Sequence, residues 1–403
     1  MGNNDKRPKI RFKGFNDDWE QHKLEEIAEF NPKSELPYKF EYVDLESVIG
    51  TEMISHRTEN KETAPSRAKR LAQYGDIFYQ TVRPYQKNNY LFNKLNGDYV
   101  FSTGYAQIRA YIDNKFLINI LQTNNFVKKV LDNCTGTSYP AINSNELSKL
   151  EVKLPSYKNE QNKIGEFFKQ LDKDITLHQR KLEKLGNIKK SMLEKMFPKD
   201  ENKVPEIRFK GFNDDWEQYK LGEISNKVTT KNSSLKYLET FTNSAEYGII
   251  SQKDFFENNI SKVEKLDRYY VVEPEDFVYN PRISINAPVG PINRNTLDRC
   301  GVMSPLYSVF KTHNIDNTYL EYFFKSNYWH SFMFFNGDSG ARSDRFSIKD
   351  TVFMEMPIPY PNIYEQSKIG VFLKQLDNDI TLHQRKLEKL KNIKKACLEK
   401  MFA

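Results

Sequence analysis

Side chains able to touch nucleic acid fall in a few short clusters of this chain. Arg67, Lys69 and Arg70 form one, Thr81-Val82-Arg83-Pro84-Tyr85-Gln86-Lys87 a second, and Gly136-Thr137-Ser138-Tyr139 a third. Further along stand Asn280-Pro281-Arg282 and the glycine-rich run Gly337-Asp338-Ser339-Gly340-Ala341-Arg342-Ser343-Asp344-Arg345. Arg and Lys reach guanine edges or phosphates, Asn and Gln pair with adenine, and aromatic rings stack on bases or pack on sugars. The candidate contacts are therefore Arg67, Lys69, Arg70, Arg83, Tyr85, Lys87, Ser138, Tyr139, Arg282, Arg342 and Arg345. Each also reads as solvated surface, or as an ion-pair partner of a neighbour such as Asp344.

Motifs for covalent chemistry on DNA do not assemble around these clusters. Asn280-Pro281-Arg282 lacks the second proline and the aromatic residue that position a target amine for methyl transfer, and no glycine-rich cofactor loop accompanies it. The phosphate-cradling GxxxxGK[ST] pattern is missing. Glu151-Val152-Lys153 matches the end of a metal-dependent nuclease pattern, but no Pro-Asp element precedes it and the tripeptide sits in an alternating strand. Cys134, Cys300 and Cys397 are isolated, with neither a CxxC pair nor a ligand-spaced histidine, so neither a disulfide framework nor a zinc site is expected. The expectation is a chain without catalytic, cofactor or metal residues of its own.

The elements that must position the clusters are read from an internal duplication. Residues 10–24 read IRFKGFNDDWEQHKL and residues 207–221 read IRFKGFNDDWEQYKL, identical at 14 of 15 positions. Residues 160–197 and 365–402 agree at 31 of 38 positions. The first pair is offset by 197 residues and the second by 205, while the inserts between them, 25–159 and 222–364, share almost nothing. Near-identical frames around divergent inserts imply one architecture used for two targets, because neutral drift would have altered frame and insert alike.

Each longer repeat carries an apolar seam at alternating spacings of four and three, the mark of a long helix that pairs with another. Ile164, Phe168, Leu171, Ile175, His178, Leu182 and Leu185 form the first seam; Ile369, Leu373, Leu376, Ile380, His383, Leu387 and Leu390 form the second. The long insert lets the chain turn back, which predicts an antiparallel coiled coil with an approximate two-fold axis. His178 and His383 read as seam residues that fix register, since no carboxylate or nucleophile is placed to serve a catalytic pair. Lys189 and Lys394 fall on later seam positions, where the pairing is expected to loosen.

The chain has 403 residues and a formal charge of +7, of which residues 160–197 carry +3 and residues 365–402 carry +4. The rest is neutral, so a DNA-binding surface has to come from local clusters. With 38% hydrophobic and 29% charged residues, no apolar run of membrane-spanning length and no signal-like MGNNDKRPKI start, a folded cytoplasmic protein is expected.

The inserts alternate short strand-like runs with turns, at 76–83, 105–111, 150–154, 276–279, 307–310 and 353–356, and show helical stretches near 119–130 and 318–335. The expected fold class is α+β: two mixed heads separated by two long helices. The division is a first head over 1–157, a helix over 158–198, a second head over 199–362 and a helix over 363–403.

This combination resembles the specificity subunit of type I restriction-modification systems. The resemblance is carried by IRFKGFNDDWEQxKL at the head of each half, and by LEVKLPSYKNEQNKIGEFFKQLD and MEMPIPYPNIYEQSKIGVFLKQLD, a proline-bearing strand leading through Glu-Gln into the long helix. Tyr74-Gly75-Asp76, Ser102-Thr103-Gly104-Tyr105, and Gly136 followed by Ile142 and Leu147 fit as well; Pro274-Glu275-Asp276 and Gly301-Val302-Met303-Ser304 depart from the pattern in the second half. The family implies two target-recognition domains, each reading one half of a split asymmetric site in double-stranded DNA, and paired helices that set the gap and bind two methyltransferase subunits. S-adenosylmethionine would lie in those partners, and ATP and Mg in the endonuclease-translocase subunits. Two other classes stay open: an enzyme, nuclease or methyltransferase, with an unrecognised site, and a coiled-coil scaffold whose heads bind proteins.

Overall fold

The computed structural model describes residues 6–136, 138–199, 202–255, 263–338 and 344–402. The chain divides into two compact units. One runs to Arg180 and takes up the chain again from Gln384; the other spans Lys181–His383. Each long helix is thus shared between the units, which the sequence division at 157/158 and 362/363 does not show.

Within the first unit, strand Ile77–Gln80 is buried on both faces because alternate side chains point to opposite sides of the sheet. Ile77 and Tyr79 face a helix-covered core with Trp19, Phe116 and Phe168. Phe78 faces a second core, where it stacks on Phe101 with ring centroids 3.5 Å apart. This strand is the third of a four-stranded sheet in the order Ala28–Phe30, Tyr105–Ala110, Ile77–Gln80, Tyr90–Leu91. A second four-stranded sheet runs Arg57–Asn60, Lys39–Val43, Tyr99–Ser102, Ala68–Leu71, with the middle two strands parallel.

The second unit repeats the first sheet as Ser225–Lys227, Ser308–Thr312, Phe277–Tyr279, Ile292–Arg294. The same alternation sends Phe277, Tyr279 and Phe310 to the helix side and Val278 and Val309 to the other.

The strand expected at 353–356 is corrected. Asp350–Phe353 is a helical turn that stacks Phe353 on Tyr279 at 5.0 Å, and the strand is Pro357–Tyr360. Among the described residues it pairs only with Glu217–Lys220, and such an edge tolerates Pro357 and Pro359 without a lost ladder bond. Both expected insert helices break in two, into Asn114–Leu121 with Asn124–Asp132 and Asn317–Phe324 with Tyr328–Asn336. At the first break the Thr123 hydroxyl accepts the Phe126 N–H at 3.2 Å and starts a new helix. At the second, the Ser326 hydroxyl donates to the Phe323 carbonyl at 2.6 Å.

The long helices run Lys158–Lys195 and Ile363–Lys400, 38 residues each. In the first unit Ile164, Phe168 and Leu171 are buried, while Ile175, His178, Leu387 and Leu390 are half-buried. In the second, Ile369, Leu373, Leu376 and His383 are buried, and Ile380, Leu182 and Leu185 half-buried. Phe168 stacks with Phe402 at 5.7 Å while Asp172 meets Lys394, so the first half of one helix packs antiparallel to the last half of the other. The seam does not loosen at its lysines. Lys394 pairs with Asp172 in the first unit, and Lys189 pairs with Asp377 at 2.5 Å in the second. A lysine stem buries its methylenes in the seam while its ammonium meets a carboxylate at the rim.

The Glu-Gln dipeptide at each helix start is wholly buried. Arg11 grips Glu160 through two bonds of 2.6 and 2.8 Å, and Arg208 grips Glu365 at 2.7 and 2.8 Å. The duplicated blocks are therefore the two ends of one clasp. Gly165 and Gly370 let each helix approach the start of the helix beside it; a Cβ at Gly165 would stand 2.6 Å from an Asp113 carboxylate oxygen.

One element differs between the units in a measurable way. Asp76 is held by both arms of Arg109 at 2.9 Å and by Gln107 at 2.7 Å. The corresponding Asp276 accepts only the Glu273 N–H at 2.8 Å; its other oxygen has no partner among the described residues, and burial pushes the carboxyl up to about 6. The folded state then binds a proton that the unfolded state releases nearer 3.8, so this site's contribution to stability falls as pH rises from about 4 through 6. Asp276→Asn is expected to melt above wild type at pH 8 and level with it at pH 4, as read by calorimetry; no gain at pH 8 contradicts the assignment.

Candidate nucleic-acid interface

The candidate clusters, far apart in sequence, converge in each unit. In the first, Ile142 N–H donates to Thr81 O at 3.0 Å and Arg83 N–H to Pro140 O at 2.8 Å, laying the 81–87 loop along the 135–142 loop. Val82 and Ala141 form a bridge there. The second loop closes on itself through a pair of bonds between Thr135 and Ala141 at 2.9 and 3.0 Å. Gly136 makes that closure with a φ of +84°, a conformation few L side chains adopt. The Ser102–Tyr105 turn ties in the remaining cluster: Thr103 N–H donates to Arg67 O at 2.8 Å, and Thr81 donates to Gly104 O from both its N–H, at 2.9 Å, and its hydroxyl, at 2.8 Å. Arg67, Arg83, Tyr85, Ser138 and Tyr139 therefore stand on connected segments.

Burial marks two members of the predicted set, Lys87 and Arg70. The Lys87 ammonium donates to Gln122 O at 2.9 Å and Asn124 Oδ1 at 2.7 Å, and burial lowers its pKa. Arg70 is half-buried on strand Ala68–Leu71, its pKa lowered by desolvation, with its Nε lacking a partner among the described residues; Lys69 beside it is exposed.

In the second unit Phe346 N–H donates to Pro281 O at 2.8 Å and Ile283 N–H to Asp344 O at 3.1 Å, so Arg282 and Arg345 face each other across a bridge. Arg282 is exposed; Arg345 is half-buried, its Nε 3.8 Å from Asp344. Arg342 lies outside the described residues.

Sequence reasoning missed the buried amides that brace the first loop. Gln80 Nε2 donates to Val82 O at 2.6 Å and to Gln86 Oε1 at 2.8 Å, and Gln80 N–H donates to Asn89 Oδ1 at 2.8 Å. The available signal was a Gln ending an apolar strand. It also missed Ile285 and Phe335, both almost fully exposed, the second near the end of the helix Tyr328–Asn336.

Among the described residues no cluster of metal-binding side chains occurs, and no helix is long and apolar enough to cross a membrane. What the loops offer is cations, amides, hydroxyls and rings for contact. A family model described as the type I restriction modification DNA specificity domain matches residues 16–187 and again 213–392.

The chain belongs to this family.

The two type I specificity matches start 197 residues apart and end 205 apart, the offsets of the duplicated blocks, so each repeat of the family holds one head and most of its own helix. Among relatives, the chain is 25% identical over 277 residues to the type I restriction enzyme MjaVIII specificity subunit of Methanocaldococcus jannaschii, covering 64% of this chain and 63% of that one. It is 26% identical over 195 residues to the HindI specificity subunit of Haemophilus influenzae, covering 45% and 41%. The chain thus spans less than two thirds of the length of these relatives. Among solved structures, the type I restriction-modification S subunit from M. genitalium shares the fold with a TM-score of 0.57 at 14% identity, over 98% of this chain and 99% of that one.

Proposed function

We propose that this chain is the non-catalytic, sequence-reading subunit of a type I restriction-modification complex. Each head reads one half of a split, asymmetric site in double-stranded DNA. The paired helices set the unread gap and dock two methyltransferase subunits. S-adenosylmethionine belongs to those partners, and ATP with Mg to the endonuclease-translocase subunits that complete the complex, acting on DNA in the cytoplasm.

The observation that carries this reading is that each unit zips two remote loops together beneath arginines, in a frame duplicated almost letter for letter around inserts that differ. Frame conservation keeps the geometry of assembly; insert divergence gives two addresses. Family membership supports the same assignment.

The test is methylation mapping in a host lacking its own systems, expressing the chain with and without its cognate methyltransferase subunit. Methyladenine at one split asymmetric sequence, present only with both, is expected. Methylation from the chain alone would overturn the non-catalytic assignment, and unselective methylation with both would overturn the reading role.

A further inference from the structure

We propose that Arg83 is a guanine-reading residue of the first head, presented on the face of Tyr139; this rests on the sequence-reading role above. The first unit holds several arginines that already have carboxylate partners: Arg7 with Asp18, Arg11 with Glu160, Arg57 with Asp44 and Glu59, and Arg109 with Asp76. Arg83 has none among the described residues. Its guanidinium lies 4.5 Å from the centroid of the Tyr139 ring, and that ring is itself 64% exposed. A guanidinium held over a ring face by cation–π attraction spends none of its N–H donors on a carboxylate, and two parallel N–H donors match the O6 and N7 acceptors of guanine in the major groove.

The backbone beneath is fixed before any ligand arrives. Arg83 has a φ of +54° and Lys87 one of +55°, on either side of the turn Pro84–Gln86. Non-glycine residues keep that conformation only where their surroundings dictate it. Here they do: Arg83 N–H donates to Pro140 O, Gln86 N–H to Arg83 O at 3.0 Å, and Lys87 N–H to Pro84 O at 3.1 Å. Gln80 holds Val82 and Gln86 from below, and the Lys87 ammonium anchors the far end on Gln122 and Asn124. A rigid loop that stacks one unpaired guanidinium loses little entropy on binding, which a discriminating contact requires. Among the described residues of the second unit no arginine is stacked on a tyrosine.

The experiment co-expresses wild type, Arg83→Ala and Tyr139→Leu with the methyltransferase subunit, maps the methylated sites, and measures binding of each purified complex to duplexes in which the mapped guanine is replaced by 7-deazaguanine. Arg83→Ala is expected to relax one position of one half-site from guanine to any base. The other half-site should stay as in wild type, which shows that the variant folds and assembles. Removing N7 should weaken wild-type binding about 10- to 100-fold and weaken Arg83→Ala no further. Tyr139→Leu should relax the same position, and no other, by a smaller factor. An unchanged site in Arg83→Ala, or a half-site of A·T pairs only, overturns the assignment. So does uniform weakening on every sequence with a shallower salt dependence, which would mark a phosphate contact. Wild type without selective methylation overturns the sequence-reading role and this inference together.

Discussion

Arg11→Met is expected to destabilise the first unit by about 3–5 kcal/mol, because it leaves the carboxylate of Glu160 buried without its counter-ion. Glu160 is completely shielded from solvent and Arg11 nearly so, with Arg11 also donating to Asp17 O at 2.6 Å. Such a pair contributes modestly when intact, since both ions gave up hydration to form it; the large term appears only when one partner is removed. Replacing both, as Arg11→Met with Glu160→Leu, should therefore recover most of the loss. Arg208→Met should cost the second unit less, because Trp216 Nε1 still donates to Glu365 at 3.2 Å, whereas the Trp19 indole N–H has no partner among the described residues. Calorimetry of the purified variants reads both effects. A single Arg11→Met variant that melts with wild type, or a double variant no better than the single, contradicts the clasp.

Phe197→Ala is expected to cost the second unit about 3–5 kcal/mol, the usual penalty for emptying a buried aromatic site. Phe197 is 1% exposed, lies two residues past the end of the first long helix, and sits 5.5 Å from the Tyr319 ring and 5.7 Å from Phe323. Its repeat partner Phe402 reaches Trp19, Phe116 and Phe168 at 6.3, 5.6 and 5.7 Å in the first unit, but is only half-buried, so Phe402→Ala should cost less. These rings lock the end of each helix into a head. Hydrogen exchange should show lost protection in 217–360 for Phe197→Ala with protection in 20–154 retained; uniform loss, or none, would contradict the anchoring role.

The frame was legible in the sequence because repetition and heptad spacing are both periodic, and periodicity needs no knowledge of partners. Spacing alone picked out positions that the fold buries or half-buries, His383 among the buried ones. The clasp was not legible: Arg11 and Glu160 are 149 residues apart, and each is an ordinary surface residue type until the fold closes. Lys189 and Lys394 misled for a related reason, since the aspartates that complete them lie on the other helix, Asp377 and Asp172. The strand expected at 353–356 failed because Phe353 and Met356 are both buried, and spacing of three fits a helical turn as well as apolar content fits a strand. In the candidate interface, residue types pointed to loops that the fold brings together but could not show which cations are engaged. Lys87 and Arg83 are four residues apart, yet one is an anchor and the other stacks on Tyr139.

The two inserts are proposed as independent readers of one split site. The most direct test replaces residues 25–159, between the clasp residues Arg11 and Glu160, with the insert of another family member and maps methylated sites in the presence of the methyltransferase subunit. One half of the site is expected to change while the other half and the gap stay as in wild type. Alteration of both halves, or an unchanged site, would contradict it.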